Sequence, residues 1–112
     1  MPHIIIDYSA DTVTNEAIQL ALDTCYEAVV NTQLFEPSHI RVRAHAIEHY
    51  RIAATASSFM HIQCRIHAGR SETQKKQLSS ELVAALGQAG LELSIITCEV
   101  VDMDSSTYSK IN

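Results

Sequence analysis

The first apolar run of the chain, PHIIIDY over residues 2–8, is dominated by β-branched side chains and opens on a proline, which a strand tolerates at its first position. The spacing then changes. After the turn-like SADT, Ile18, Leu22, Cys25 and Val29 recur at i, i+4, i+7 and i+11, which is one face of a helix. FEPSH interrupts that face, and IRVRAHAI alternates apolar with polar positions as a half-buried strand does.

The same sequence of patterns then repeats. FMHIQCRI reads as a strand, and Leu78, Leu82, Ala85 and Ala89 reproduce the helical phase of the first half. Ser71 followed three residues later by Gln74 predicts a capping box at the start of this second helix, and Gly90 is placed to stop it in a left-handed conformation. LELSIITCEVV supplies a fourth strand, and VDMDSSTYSKIN reads as a polar tail. The expected fold is α/β (α+β): two β-α-β units, joined by right-handed crossovers, forming a four-stranded sheet with two helices on one face.

Two helices cover only one face of such a sheet, so a monomer would need a polar second face. The strands place apolar residues on both: Ile4 and Ile6 oppose Ile5, and Leu93 and Ile95 oppose Ile96, Cys98 and Val100. That pattern predicts a closed homo-oligomer in which the second face is covered by copies of the chain.

Length and composition narrow the picture further. The 112 residues are expected to form one domain spanning 1–112, with 46% hydrophobic and 19% charged residues, as in ordinary folded globules. A net charge of −5 with only 8 dispersed basic residues excludes nucleic acid as the expected partner. Neither a membrane span nor a signal peptide is legible, and Cys25, Cys64 and Cys98 have no CxxC spacing, so the expected compartment is a reducing cytoplasm with all three thiols serving as small buried hydrophobes.

Six histidines raise the question of a metal. His45 and His49 share one strand face in this reading, as do His61 and His67, but no HExxH or CxxC spacing completes a ligand set, and no metal or other cofactor is expected. With no GxSxG, no glycine-rich phosphate loop and only 3 glycines, neither serine-hydrolase nor nucleotide chemistry is expected.

Three stretches in order, MPHIII, IRVRAHAI and RIHAGRSETQKKQLSSEL, resemble the tautomerase superfamily, and within it the 5-carboxymethyl-2-hydroxymuconate isomerase family. The resemblance runs from Pro2 to about Val101. It implies a homotrimer of β-α-β-β-α-β subunits, and an amino-terminal proline that transfers a proton once Met1 has been removed. It also implies arginines that bind the carboxylates of an unsaturated oxo acid. Carried onto this sequence, the catalytic base is Pro2 and the substrate-binding arginines are Arg41 and Arg70, acting on a small anionic substrate with no cofactor.

The residues make chemical sense of those roles. A free amine is mostly protonated at neutral pH, and both the apolar neighbours Ile4, Ile5 and Ile6 and nearby arginines would disfavour its ammonium form. Arg70 stands between Gly69 and the predicted cap Ser71, at a helix start that favours anions, where a guanidinium can grip a carboxylate through two parallel hydrogen bonds. Arg41 and Arg43 share a strand face, and the resemblance selects Arg41.

Three readings follow: an isomerase of 2-hydroxymuconate-type di- or tricarboxylic acids in aromatic-compound breakdown, another proline-based chemistry (dehalogenase, hydratase or decarboxylase), and a non-catalytic trimeric binding protein. The second requires an added carboxylate or hydroxyl to handle water, for which Asp7 and Tyr8 are the nearest in sequence.

Overall fold

The computed structural model describes residues 1–111. In chain order its elements are β1 (His3–Ser9), α1 (Asn15–Asn31), a short 3-10 turn (Pro37–His39), β2 (Arg41–Ile47), β3 (Phe59–His67), α2 (Glu72–Gly87) and β4 (Ile95–Met103). The sheet order is β2-β1-β3-β4. β1 runs parallel to β2 and β3 parallel to β4, while the central pair β1 and β3 is antiparallel. These are the two expected β-α-β units, set head to tail.

Strand parity builds the core. Ile4 and Ile6 of β1 and Met60, Ile62, Cys64 and Ile66 of β3 are all 0% exposed on the helix-covered face. Against them pack Ile18, Ala21, Cys25 and Val29 of α1 and Leu78, Leu82 and Leu86 of α2. The helical phase is as expected, but the centre of each stripe lies one residue away: Ala21 and Leu86 are buried where Leu22 and Ala85 are half-buried. Ala21 is small enough to let α1 approach the sheet closely, Leu86 fills the space under α2, and Leu22 and Ala85 pack along the flanks.

Both helices begin as their sequences dictate. Thr14 accepts from the Ala17 amide at 3.1 Å. Ser71 and Gln74 form the full reciprocal capping box, at 3.2 Å and 2.9 Å. The second helix stops earlier than expected, at Gly87 with Gln88 as its cap; Gly90, at φ +77°, turns the chain three residues later. β4 starts at Ile95 rather than near Leu91 and continues through Met103, because its pairing with β3 runs to His67 opposite Met103. The first three residues assigned to a polar tail are therefore strand, and Met103 is buried.

The uncovered face departs further from expectation. Ile5, Ile95 and Val101 lie on it, but its cross-strand rows are mainly polar: Arg41, His3 and Arg65 in one, Arg43, Ile5, Gln63 and Glu99 in the next, His45, Asp7, His61 and Thr97 in the third. Imidazole–carboxylate contacts stitch that face, His61 to Glu99 at 2.6 Å and His45 to Asp7 at 3.5 Å. Apolar residues do occur on both faces, but a polar lattice surrounds those on the open one, and any partner must match its charges. His49 lies beyond the end of β2 and shares no strand face with His45. Cys64 and Cys98 are not isolated either: their sulfurs lie 3.8 Å apart across the β3/β4 pair. Burial pushes the Cys25 thiol up to about 12.

Candidate active site

The topology brings four chain ends to one edge of the sheet. The starts of β1 and β2 meet the ends of β3 and β4 there, since His3 pairs with both Arg41 and Arg65 and His67 pairs with Met103. At that edge a cleft of about 380 Å³ is lined by Met1, Pro2, Gln33, Leu34, Phe35, Glu36, His39, His67 and Arg70. Its walls come from the start of β1, the α1–β2 connection and the β3–α2 turn.

Pro2 lies buried at the floor, and its carbonyl accepts the Arg41 amide at 3.0 Å, the first rung of the parallel β1/β2 ladder. Arg70 enters from the other side. Gly69, at φ +122°, makes the turn out of β3 in a conformation that disfavours any side chain, and so aims Arg70 across the cleft. The guanidinium donates from Nη2 to the Leu34 carbonyl and lies 4.9 Å from the Phe35 ring centroid. Stacking on Phe35 fixes its plane and leaves further N–H groups for a ligand.

Arg41 is placed differently. Its Nη1 donates to the Ser38 and Ile40 carbonyls at 2.9 Å and 3.3 Å, so the guanidinium stands beside the cleft rather than in its lining. Its charge still reaches the amino terminus. Burial, followed by the charges of Lys110, Arg41 and Arg70 in that order, holds the α-amine of Met1 below its ordinary 8.0. The nitrogen of Pro2 lies one residue away, about 3.8 Å along the chain, within the same field. With Met1 in place that nitrogen is an amide; once Met1 is cleaved it becomes the amine.

The electrostatics are local, not global. Arg41, Arg43, Arg65 and Arg70, half of the chain's 8 basic residues, gather at this edge although the net charge is −5. His3, on the sheet beside Pro2, has its pKa lowered by burial and then by Arg43 and the amino terminus. It is therefore neutral, accepting from Arg43 Nη1 at Nδ1 (3.2 Å) and donating from Nε2 to the Tyr108 hydroxyl (2.9 Å).

Several lining residues carried no sequence signal. Glu36 and His39 lie within the FEPSH stretch, which reads only as a break, and His67 ends β3 with its Nδ1 3.0 Å from the Ser105 hydroxyl. Asp7 and Tyr8, nearest to Pro2 among groups able to handle water, both miss the cleft: Asp7 lies on the open face and Tyr8 packs against the core. Among the described residues no three His, Cys, Asp or Glu side chains converge as a metal site would require, and no helix is long and apolar enough to cross a membrane.

Residues 2–97 match a family model described as 5-carboxymethyl-2-hydroxymuconate isomerase. In structure the chain is similar to a 5-carboxymethyl-2-hydroxymuconate isomerase from Deinococcus radiodurans R1, at TM-score 0.82 and 24% identity over 99% of this chain and 89% of the other. It is also similar to FG41 malonate semialdehyde decarboxylase inhibited by 3-bromopropiolate, at 0.77 and 17% over 97% and 88%. A fused 4-OT described as a symmetric trimer matches at 0.76 and 19% over 91% and 87%. At these identities the structural likenesses establish the fold. No curated protein matches the sequence.

Proposed function

The chain belongs to the 5-carboxymethyl-2-hydroxymuconate isomerase family, and from that premise we propose that it is a cofactor-free tautomerase of 2-hydroxymuconate-type di- or tricarboxylic acids. One observation carries the reading: Pro2 and Arg70 line the same cleft, where burial and then the neighbouring cations lower the pKa of the adjoining Met1 amine. After loss of Met1, the Pro2 nitrogen takes the proton of the dienol hydroxyl. It then returns the proton to a carbon at the far end of the conjugated system, converting the enol to a ketone with no net change in atoms or electrons. Arg70 grips one carboxylate and Arg41, from beside the cleft, offers the N–H groups not used by the Ser38 and Ile40 carbonyls to a second, and both charges favour the delocalised anion between the two proton transfers. The physiological setting is breakdown of aromatic compounds in the cytoplasm.

The same reading assembles the chain as a homotrimer whose open sheet faces pack together. Ile5, Ile95 and Val101 supply apolar contacts, and the rows of Arg, His, Asp and Glu would pair across copies. Its support is the uncovered face and the trimeric 4-OT neighbour. Sedimentation at micromolar concentration checks it; a monomer overturns the assembly.

A specific observation favours a second chemistry. Glu36 lines the cleft with Pro2, so the carboxylate that hydration, decarboxylation or dehalogenation would need to manage water is present there. The two are separated by ultraviolet-monitored ketonisation of 2-hydroxymuconate and its 5-carboxymethyl analogue, using protein whose mass shows Met1 removed. Turnover that falls about 100-fold or more in Pro2→Ala establishes the isomerase. Absence of ketonisation by processed protein rejects it and leaves water-dependent chemistry or a binding role.

A further inference from the structure

The segment after β4 does not trail away from the fold. Asp104 folds it into a turn, accepting from the Ser106 amide at 3.0 Å and the Ser106 hydroxyl at 2.6 Å, with the Thr107 amide donating to the Asp104 carbonyl at 3.2 Å. The returning chain is then fastened to the residues beside the cleft at three points. The Tyr108 hydroxyl accepts from His3 at 2.9 Å, its ring meets His67 edge-on at 4.7 Å, and Ser105 contacts the other side of His67 at 3.0 Å. His67 lines the cleft and His3 follows Pro2 directly.

Lys110 lies two residues beyond Tyr108, at most about 7 Å of backbone, so its four-carbon stem can bring the ammonium to the cleft mouth. We propose that Lys110 supplies a third carboxylate-binding cation to the cleft, beside Arg70 and Arg41, and that it selects tricarboxylate dienols over dicarboxylate ones. Tyr108 is the positioning residue that holds the segment in place. Burial, and after it the charges of Lys110, Arg41 and Arg70, lower the pKa of the Met1 amine, in keeping with that placement.

A dicarboxylate leaves one of the three cations without a partner, whereas the 5-carboxymethyl substrate matches them one for one. The inference rests on the isomerase reading for its substrate class, so its test carries a readout independent of turnover.

The experiment compares kcat/KM for 5-carboxymethyl-2-hydroxymuconate and 2-hydroxymuconate in wild type, Lys110→Met, Lys110→Arg and Tyr108→Phe. It is run on the plateau of the pH profile, so that a changed amine pKa affects neither substrate. Loss of one charge-assisted contact predicts that the tri-to-dicarboxylate ratio falls about tenfold or more in Lys110→Met, mainly through KM. Lys110→Arg recovers most of the ratio, and Tyr108→Phe lowers it by less. In parallel, calorimetry with propane-1,2,3-tricarboxylate and glutarate should show the same loss of preference. If neither dienol is turned over, the isomerase reading falls and the calorimetric preference alone decides the role of Lys110. An unchanged ratio in Lys110→Met, with unchanged calorimetric preference, overturns the inference.

Discussion

Replacing Arg70 with alanine removes the one guanidinium that lines the cleft with Pro2. A charge-assisted hydrogen bond to a carboxylate is worth about 1.5–3 kcal/mol, which at about 1.36 kcal/mol per decade is roughly a 10- to 150-fold loss in kcat/KM. How that loss divides is informative. If Arg70 binds dienol and transition state equally, KM rises with kcat unchanged; if it favours the delocalised anion, kcat falls as well. The same side chain also stacks on Phe35 and donates to the Leu34 carbonyl, so the Ala variant loses about 0.5–1 kcal/mol of stability at this half-buried position. Arg70→Lys keeps the charge but cannot span Leu34 and a carboxylate with one planar fork, and its kcat/KM should fall between the other two. Ultraviolet-monitored ketonisation, with thermal denaturation of each variant beside it, makes the comparison. A folded Arg70→Ala protein whose kcat/KM stays within about twofold of wild type would refute the placement of a carboxylate on this arginine.

Ser71→Ala removes the hydroxyl that accepts the Gln74 amide at the start of α2 and leaves only the backbone half of the capping box, at a cost of about 1 kcal/mol, and should lower Tm by about 2 to 8 °C; an unchanged Tm would show that the hydroxyl cap contributes nothing. The amine at the cleft has a folded pKa below its unfolded value, so the unfolded chain binds more protons. Its penalty on stability is therefore full below the folded pKa and disappears as pH rises through the unfolded one, ordinarily 8.0. For processed protein the acidic limb of kcat/KM should accordingly lie below the pKa of an unstructured prolyl peptide and move up in Lys110→Ala, whereas a limb at the peptide value would contradict the field inferred from the site.

Much of the fold was legible because period and chemistry agree locally. The 3.6-residue phase of Ile18, Cys25 and Val29, the alternation of Ile4, Ile5 and Ile6, and the Ser71/Gln74 cap each specify one element without help from the rest of the chain. The misreadings came where pairing decides. β4 reaches Met103 because β3 offers it partners as far as His67, which no property of VDM by itself announces. Strand by strand the open face reads as more apolar than it is, because β1 and β4 carry its isoleucines, while β2 and β3 contribute the Arg and His that register sets beside them. Pro2, Arg41 and Arg70 were legible through a resemblance, and two of the three prove to share the lining of one cleft. Glu36, His39 and His67 were not, since each reaches the cleft through a loop or strand end whose destination depends on the assembled sheet.

The position of the site follows from the order β2-β1-β3-β4. Two parallel pairs joined antiparallel must place the starts of one pair at the same edge as the ends of the other. The chain's first residues and its last strand end are thereby neighbours, although over a hundred positions separate them, as the contact between His3 and Tyr108 shows. A terminal amine is a useful base only if something distant in sequence shields it and charges its surroundings. The β3–α2 turn brings Arg70, the β2 start brings Arg41, and the segment after β4 crosses the end of β3 at His67 to reach His3 beside that amine. Arg41 and Arg70 belong to the two related halves, but Lys110 belongs to neither repeat. The repeated architecture thus builds the amine's pocket, while the segment outside the repeat contributes, among the described residues, no buried side chain beyond Met103, so the substrate preference proposed for Lys110 can be altered there without disturbing the core.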